Sequence, residues 1–171
     1  MAVVVITAIL SIAGVAVFRK YIFAAKGGEA LSIIQAIRGA EESYAAENHV
    51  YLNVSTTGGD NAESGANWWP QITPGVGRSH WVGPANHPDR ANWLLLAPSI
   101  SRSVQFSYLA NAGVSGTAVT LLKTANRPVF ALPTQNWYVI QAEGDTDGDS
   151  VFARYASTSM TGDIYSENEG E

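Results

Sequence analysis

Three aspartates alternate through the segment Gly144-Asp145-Thr146-Asp147-Gly148-Asp149. That 1-3-5 spacing is how a calcium loop begins, because a hard cation collects carboxylate and carbonyl oxygens. A complete EF-hand loop also needs a bidentate glutamate at its twelfth position, and Ala156 stands there. A turn whose aspartates accept backbone N–H groups accounts for the same three residues. Both readings stay open, with Glu143 or a backbone carbonyl available to complete a calcium shell. His80, His87 and Asp89 form a second cluster of ligand types. Zinc needs a third strong ligand and supporting hydrogen bonds, so the two histidines read as exposed loop residues.

Other chemistry is excluded more firmly. The chain has no cysteine, which removes thiol nucleophiles, thiolate metal sites and disulfides. Gly113-Val114-Ser115-Gly116 lacks the spacing of a serine-nucleophile elbow. No glycine-rich phosphate loop is found. The chain therefore reads as a non-enzyme that needs no cofactor, calcium being its candidate ion. Asn53-Val54-Ser55 matches a glycan acceptor, a motif common enough by chance to be read as unused. The net charge of −5 gathers at the far end, where Ala142 to Glu171 holds eight acidic residues against the single basic Arg154. Such a stretch reads as a solvated, self-repelling surface. Without a lysine- and arginine-rich stripe, no general nucleic-acid binding is expected.

The elements that would position these residues differ sharply along the chain. Met1 to Phe18 is an unbroken apolar run closed by Arg19-Lys20. As a helix it would extend roughly 27 Å, near a bilayer's hydrocarbon thickness. Nothing basic precedes it and helix-forming sequence follows it, so it is expected to be retained and not cleaved as a signal peptide. The helical pattern continues to Asn48, with Ile33, Ile37, Ala40 and Tyr44 on one face and Leu31, Ile34 and Glu41 alongside. Gly27-Gly28 should make a soft joint. Residues 52–92, rich in Gly, Asn, Ser, Thr and Pro, read as a long loop pinned by Trp68, Trp69 and Trp81.

From Trp93 onward the chain reads as strands. Trp93–Ala97 forms a buried run, Val104, Phe106 and Tyr108 alternate, and Trp137–Ala142 and Val151–Ser157 flank the Asp-Gly turn as a hairpin. Asp163–Ser166 makes a last strand. The expected fold class is α+β, a long N-terminal hydrophobic helix packed on a roughly four-stranded antiparallel sheet. Residues 1–28 would be a hydrophobic stem, and 29–171 a head with helix 29–48, loop 52–92 and sheet 93–171. Ile33, Ile37 and Tyr44 would form the helix–sheet core.

These residues carry a family resemblance. The segment MAVVVITAILSIAGVAVFRKY resembles the apolar N-terminal helix of type IV pilins and of type II secretion pseudopilins. Arg38, Ala40-Glu41-Glu42, Tyr44, Glu47-Asn48 and Val50-Tyr51 resemble the family's helix end, with His49 in place of its usual glycine. An acidic closing hairpin is also frequent there. The likeness covers about the first 50 residues well and the sheet in outline. Departures are specific: the family's leader and opening block, including the glutamate credited with matching a neighbour's terminal amine, would lie upstream of Met1. Met1 is accordingly expected to reflect a start-site choice. Ala8 and Ala16 stand where relatives carry glycine and proline. Arg19-Lys20 would by charge alone hold the opposite membrane orientation to the family's.

The resemblance implies a subunit of an extracellular type IV pilus, held in the inner membrane before assembly and polymerised by dedicated machinery into a helical homopolymer. Val3, Val4, Ile6, Ile9, Leu10, Ile12, Val15 and Val17 would form the filament core. Adhesion or motility would be its task. A pseudopilin or minor pilin is the alternative, and calcium at Asp145, Asp147 and Asp149 would favour the pseudopilin branch. A single-pass membrane protein with a binding domain is the third reading.

Overall fold

The computed structural model describes residues 2–57, 67–119 and 130–169, and within the first helix the side chains of Phe18, Tyr21, Ile22 and residues 25 onward. Helix α1 spans Ala2–Asn48. It is followed by β1 (Ser79–His80), α2 (Arg90–Leu96), β2 (Ser103–Val104), β3 (Ser107–Gly113), β4 (Trp137–Gly144), β5 (Ala153–Thr158) and β6 (Ile164–Glu167). The strands make two antiparallel sheets, β1-β2 and β3-β4-β5-β6. In the larger sheet Gly113 pairs with Trp137, Gly144 with Ala153, and Ser157 with Ile164.

The expected fold class, a long N-terminal hydrophobic helix on a roughly four-stranded sheet in the pilin manner, is thereby overturned. Among the described residues there are two helices and two sheets, and no helix is long and apolar enough to cross a membrane. The physical reason lies in the part of α1 whose side chains are described. It carries Lys26, Glu29, Arg38 and Glu42 around an apolar strip, so it is amphipathic and suited to a protein surface. The side chains of Val3, Val4, Ile6, Ile9, Leu10, Ile12, Val15 and Val17 lie outside the described residues.

One further correction concerns local structure. Trp93–Ala97, expected as a strand, belongs largely to α2. Trp93 and Leu96 are buried while Leu94 and Leu95 are half exposed, the i, i+3 rhythm of a helix lying on a surface. Ala97 closes it in the left-handed region at φ 47°, its N–H donating to the Trp93 carbonyl. At Gly27-Gly28, where one helix with a soft joint or two helices in line were the alternatives, α1 is one continuous helix. Gly27 allows a close approach: a Cβ on it would lie 2.5 Å from the Tyr155 hydroxyl oxygen, so a larger residue would have to push that side-chain tip aside for the helix to sit this near β5.

The core lies between α1 and one face of the larger sheet. Ile33, Ile34 and Ile37 of α1 meet Tyr138, Ile140 and Ala142 of β4 and Tyr155 of β5, and Tyr44 packs half-buried at the margin. Alternation along β4 sends Trp137 and Val139 to the opposite face, where they cluster with Ala156. Residues 53–55 add to the edge of β3. Ser55 N–H donates to the Ala110 carbonyl at 2.8 Å, and Asn53 Oδ1 accepts the Ala112 N–H at 3.1 Å. The polar members of the glycan motif thus hold this segment to the sheet.

The long connection is fastened by aromatic rings. Trp69 and Trp93 stack at 5.9 Å, and Trp81 meets Trp93 edge-on at 5.4 Å and Tyr108 at 5.6 Å. All four are buried. Each ring of this size removes ~150–250 Å² from water, so the rings are the main apolar anchors of a connection poor in other apolar residues. Trp69 also bridges to Tyr108 through paired backbone hydrogen bonds of 2.9 and 2.6 Å.

Candidate functional site

The β4–β5 turn gathers the three aspartates. One carboxylate oxygen from each of Asp145, Asp147 and Asp149 lies within 4.8 Å of the others. Asp145 is buried and its two oxygens accept the N–H groups of Gly148 at 2.7 Å and Ser150 at 3.2 Å. Asp147 accepts the Asp149 N–H at 3.3 Å, and Asp149 accepts the Val151 N–H at 2.7 Å. Gly148 sits at φ 90° and Ser150 at φ 71°, the left-handed geometry such a tight turn requires. Lys26 of α1 donates its ammonium to the Thr146 carbonyl, tying helix to turn.

Calcium collects six to eight oxygens at about 2.3–2.6 Å. The residues that could hold such an ion here are Asp145, Asp147 and Asp149, yet four of their oxygens already accept backbone N–H groups. Glu143, the candidate to complete the shell, is turned away: it is buried and bonded to Arg154 at 3.0 Å. Ala156 is a buried residue of β5. Backbone capping thus accounts for the aspartates, and the fit to a cation is partial.

The histidines do not converge. His80 is exposed on β1. His87, expected to be exposed, is buried against Trp69 at 5.0 Å. Its Nε2 lies 2.8 Å from the Trp68 carbonyl oxygen, and its Nδ1 accepts the Asp89 N–H at 3.1 Å. Both ring nitrogens are used in holding the connection, and neither is free for a metal. Asp89 is committed through one oxygen, its Oδ1 accepting from the Thr56 hydroxyl at 2.6 Å and the Thr56 N–H at 3.1 Å, while its buried Oδ2 has no partner among the described residues. This is why a Gly/Pro-rich stretch hid a buried pair: burial comes from tryptophans distant in sequence.

Glu41 is the site residue whose environment the sequence concealed. It projects from the sheet-facing strip of α1 and is fully buried. One oxygen accepts the Leu52 N–H at 3.0 Å, while Oε1 has no partner. Burial is the largest influence on it; Glu42 adds to that, the Leu52 bond opposes it, and the carboxyl is pushed up to about 8. Its place on the apolar face of the helical pattern was the available signal. Helix α1 ends two turns later, where His49 turns left-handed at φ 63° with its N–H on the Ala45 carbonyl at 2.8 Å.

The remaining candidate surface is the upstream part of α1. Within its described side chains, burial stops at Gly27: Ala25 is exposed, as are Phe18, Tyr21 and Ile22, at 65%, 72% and 39%. Two aromatics and an isoleucine in the open, on a helix whose next three turns are buried, form an apolar surface without a described partner. No protein-family model, curated protein or solved structure matches the chain.

Proposed function

We propose that this chain is the structural subunit of an extracellular filament of the type IV pilus kind. The observation that carries the reading is the exposure of Phe18, Tyr21 and Ile22 on α1 just beyond its last head-packed turn. Upstream of them the sequence is apolar to its first residue. Such a surface is stable only when lipid or protein covers it. The inner membrane covers it before assembly and other copies cover it afterwards, with Val3, Val4, Ile6, Ile9, Leu10, Ile12, Val15 and Val17 making the core. At ~25 cal/mol per Å² of apolar surface buried, one helix contributes many kcal/mol, offset by the lipid contacts and freedom it gives up. Dedicated assembly machinery is the partner that moves subunits between the two environments. The self-capped turn and the buried His87 are both taken up in holding the head together, which supports a structural role.

A secretion pseudopilin or minor pilin is the second reading, favoured by the proximity of the three aspartates. Negative-stain microscopy of cells expressing the full-length gene separates the two, using immunogold against residues 93–157. Label along micrometre fibres supports the major subunit. Label at tips, or in the envelope with no fibres, refutes the major subunit and moves the reading to a minor pilin, a pseudopilin or a single-pass membrane protein.

A further inference from the structure

The chain reverses where α1 ends, and one buried carboxyl fastens the reversal. His49 stands left-handed at φ 63°, a conformation that a residue with a Cβ holds only when its surroundings fix it. The chain then doubles back on the helix, and the Leu52 N–H donates to Oε2 of Glu41 at 3.0 Å. Glu41 is 0% exposed, and its Oε1 has no partner among the described residues. One turn to either side of it on α1, Ile37 lies in the apolar core and Tyr44 packs against that core.

The other ties of this segment lie at the surface. Tyr51 donates its hydroxyl to the exposed Glu42 carboxylate at 3.3 and 3.4 Å, and its ring meets Tyr138 edge-on at 4.8 Å. Asn136 Nδ2 donates to the His49 carbonyl at 3.0 Å. Past Leu52 the fastening changes to the sheet. The Ser55 N–H donates to the Ala110 carbonyl at 2.8 Å, and Ser55 Oγ accepts the Ala110 N–H at 3.1 Å. Residues 49–52 are therefore a short span between two anchorages, with Glu41 as its buried hold.

The groups around Glu41 oppose its ionisation. Glu42 stands beside it on α1, and Tyr51 faces it from the reversal. Tyr138 of β4 is engaged with Arg38 and Glu42, and among the described residues no cation acts on Glu41. With the proton on Oε1, Oε2 is the carbonyl oxygen that accepts the Leu52 N–H, and the pocket holds no net charge. Without the proton, a buried carboxylate is left with one hydrogen bond and an acidic neighbour, which is costly unless water reaches it.

We propose that Glu41 is a proton-operated latch: protonated, it holds residues 49–52 against α1, and on ionisation that segment lifts off and admits water while α1 stays packed on β4 and β5. The latch lies within the head and holds whether or not the chain polymerises. Its pH window follows from the carboxyl, which is raised from 4.5 to about 8 while closed. Opening is least favoured below 4.5, grows by up to about tenfold per pH unit as pH rises, and levels off above about 8.

Hydrogen exchange of the full-length chain in detergent tests the latch, with protection corrected for the intrinsic pH dependence of amide exchange. Protection across residues 49–53 should fall at least about a hundredfold between pH 5 and pH 8. At pH 8, residues 138–142 of β4 should remain at least about a hundredfold better protected than residues 49–53, the mark of local and not global opening. Glu41→Gln keeps an acceptor for Leu52 and cannot ionise, so the fall across 49–53 should vanish. Glu42→Gln should retain it. Protection across 49–53 that is independent of pH, that equals protection across 138–142 at pH 8, or that falls as steeply in Glu41→Gln overturns the latch. Loss of the fall in Glu42→Gln does the same. If Glu41→Gln does not fold, the unaltered chain and Glu42→Gln decide.

Discussion

Two stretches of one helix meet opposite surroundings. Residues 30–41 press Ala30, Ile33, Ile34, Ile37 and Glu41 into the head, whereas Phe18, Tyr21 and Ile22 face outward a few turns earlier. The backbone is the same, and the difference lies in what the rest of the chain supplies. Sheet strands β4 and β5 cover the first stretch, and no described element covers the second. An element half satisfied within its own chain has its other half available for lipid or for copies of itself. The comparison separates two energies, head stability and assembly, which mutations can move independently.

The largest effect should come from a charge in the upstream apolar run. Ile9→Asp is expected to abolish filaments while the full chain in detergent keeps its melting temperature, measured by circular dichroism. Equal loss of both would erase the distinction between the two stretches. Next, Ile37→Ala should cost ~2–5 kcal/mol of head stability in denaturant titrations, through lost burial and the cavity left behind. Its effect on filament yield should follow only from less folded subunit.

Glu41 sharpens the comparison through pH. Its folded-state carboxyl is raised from 4.5 to about 8, so the native state holds a proton that the unfolded chain releases. Stability is therefore greatest below about 4.5 and declines as pH rises towards 8, by up to ~1.4 kcal/mol per pH unit. Glu41→Gln should flatten that decline, as read from unfolding at pH 5 and pH 8. A wild-type slope that survives the substitution would place the titration elsewhere.

The adjacent glycines provide the smallest and most local contrast. Gly28→Ala meets nothing within 4 Å and should gain up to ~1 kcal/mol from helix propensity. Gly27→Ala should instead lose stability, since its methyl would displace the Tyr155 hydroxyl. Thermal melts of the two variants moving in the same direction would refute the close approach of α1 to β5.

What the sequence made legible follows the range of the interactions. The β4–β5 hairpin was readable because an Asp-Gly turn and two β-favouring runs act within a few residues of one another. The helical pattern at Ile33, Ile37 and Tyr44 was readable for the same reason. Trp93–Ala97 was not, since a five-residue apolar run suits strand and helix alike, and its partners Trp69 and Trp81 decide between them. The two-residue strands β1 and β2 have no pattern to read. His87 and Glu41 show the same limit at the level of sites: residue type indicates solvent exposure, and packing by distant segments reverses it.

The central claim is that the upstream stretch of α1 is covered by other copies of the same chain. Its most direct test is an electron cryomicroscopy reconstruction of filaments sheared from cells expressing the full-length gene. The account predicts helical density for the Ala2–Ile22 stretches of neighbouring copies packed together along the filament axis, with the heads outside. A chain that stays in the membrane without polymerising, or a fibre held together by heads alone with these stretches apart, would contradict it.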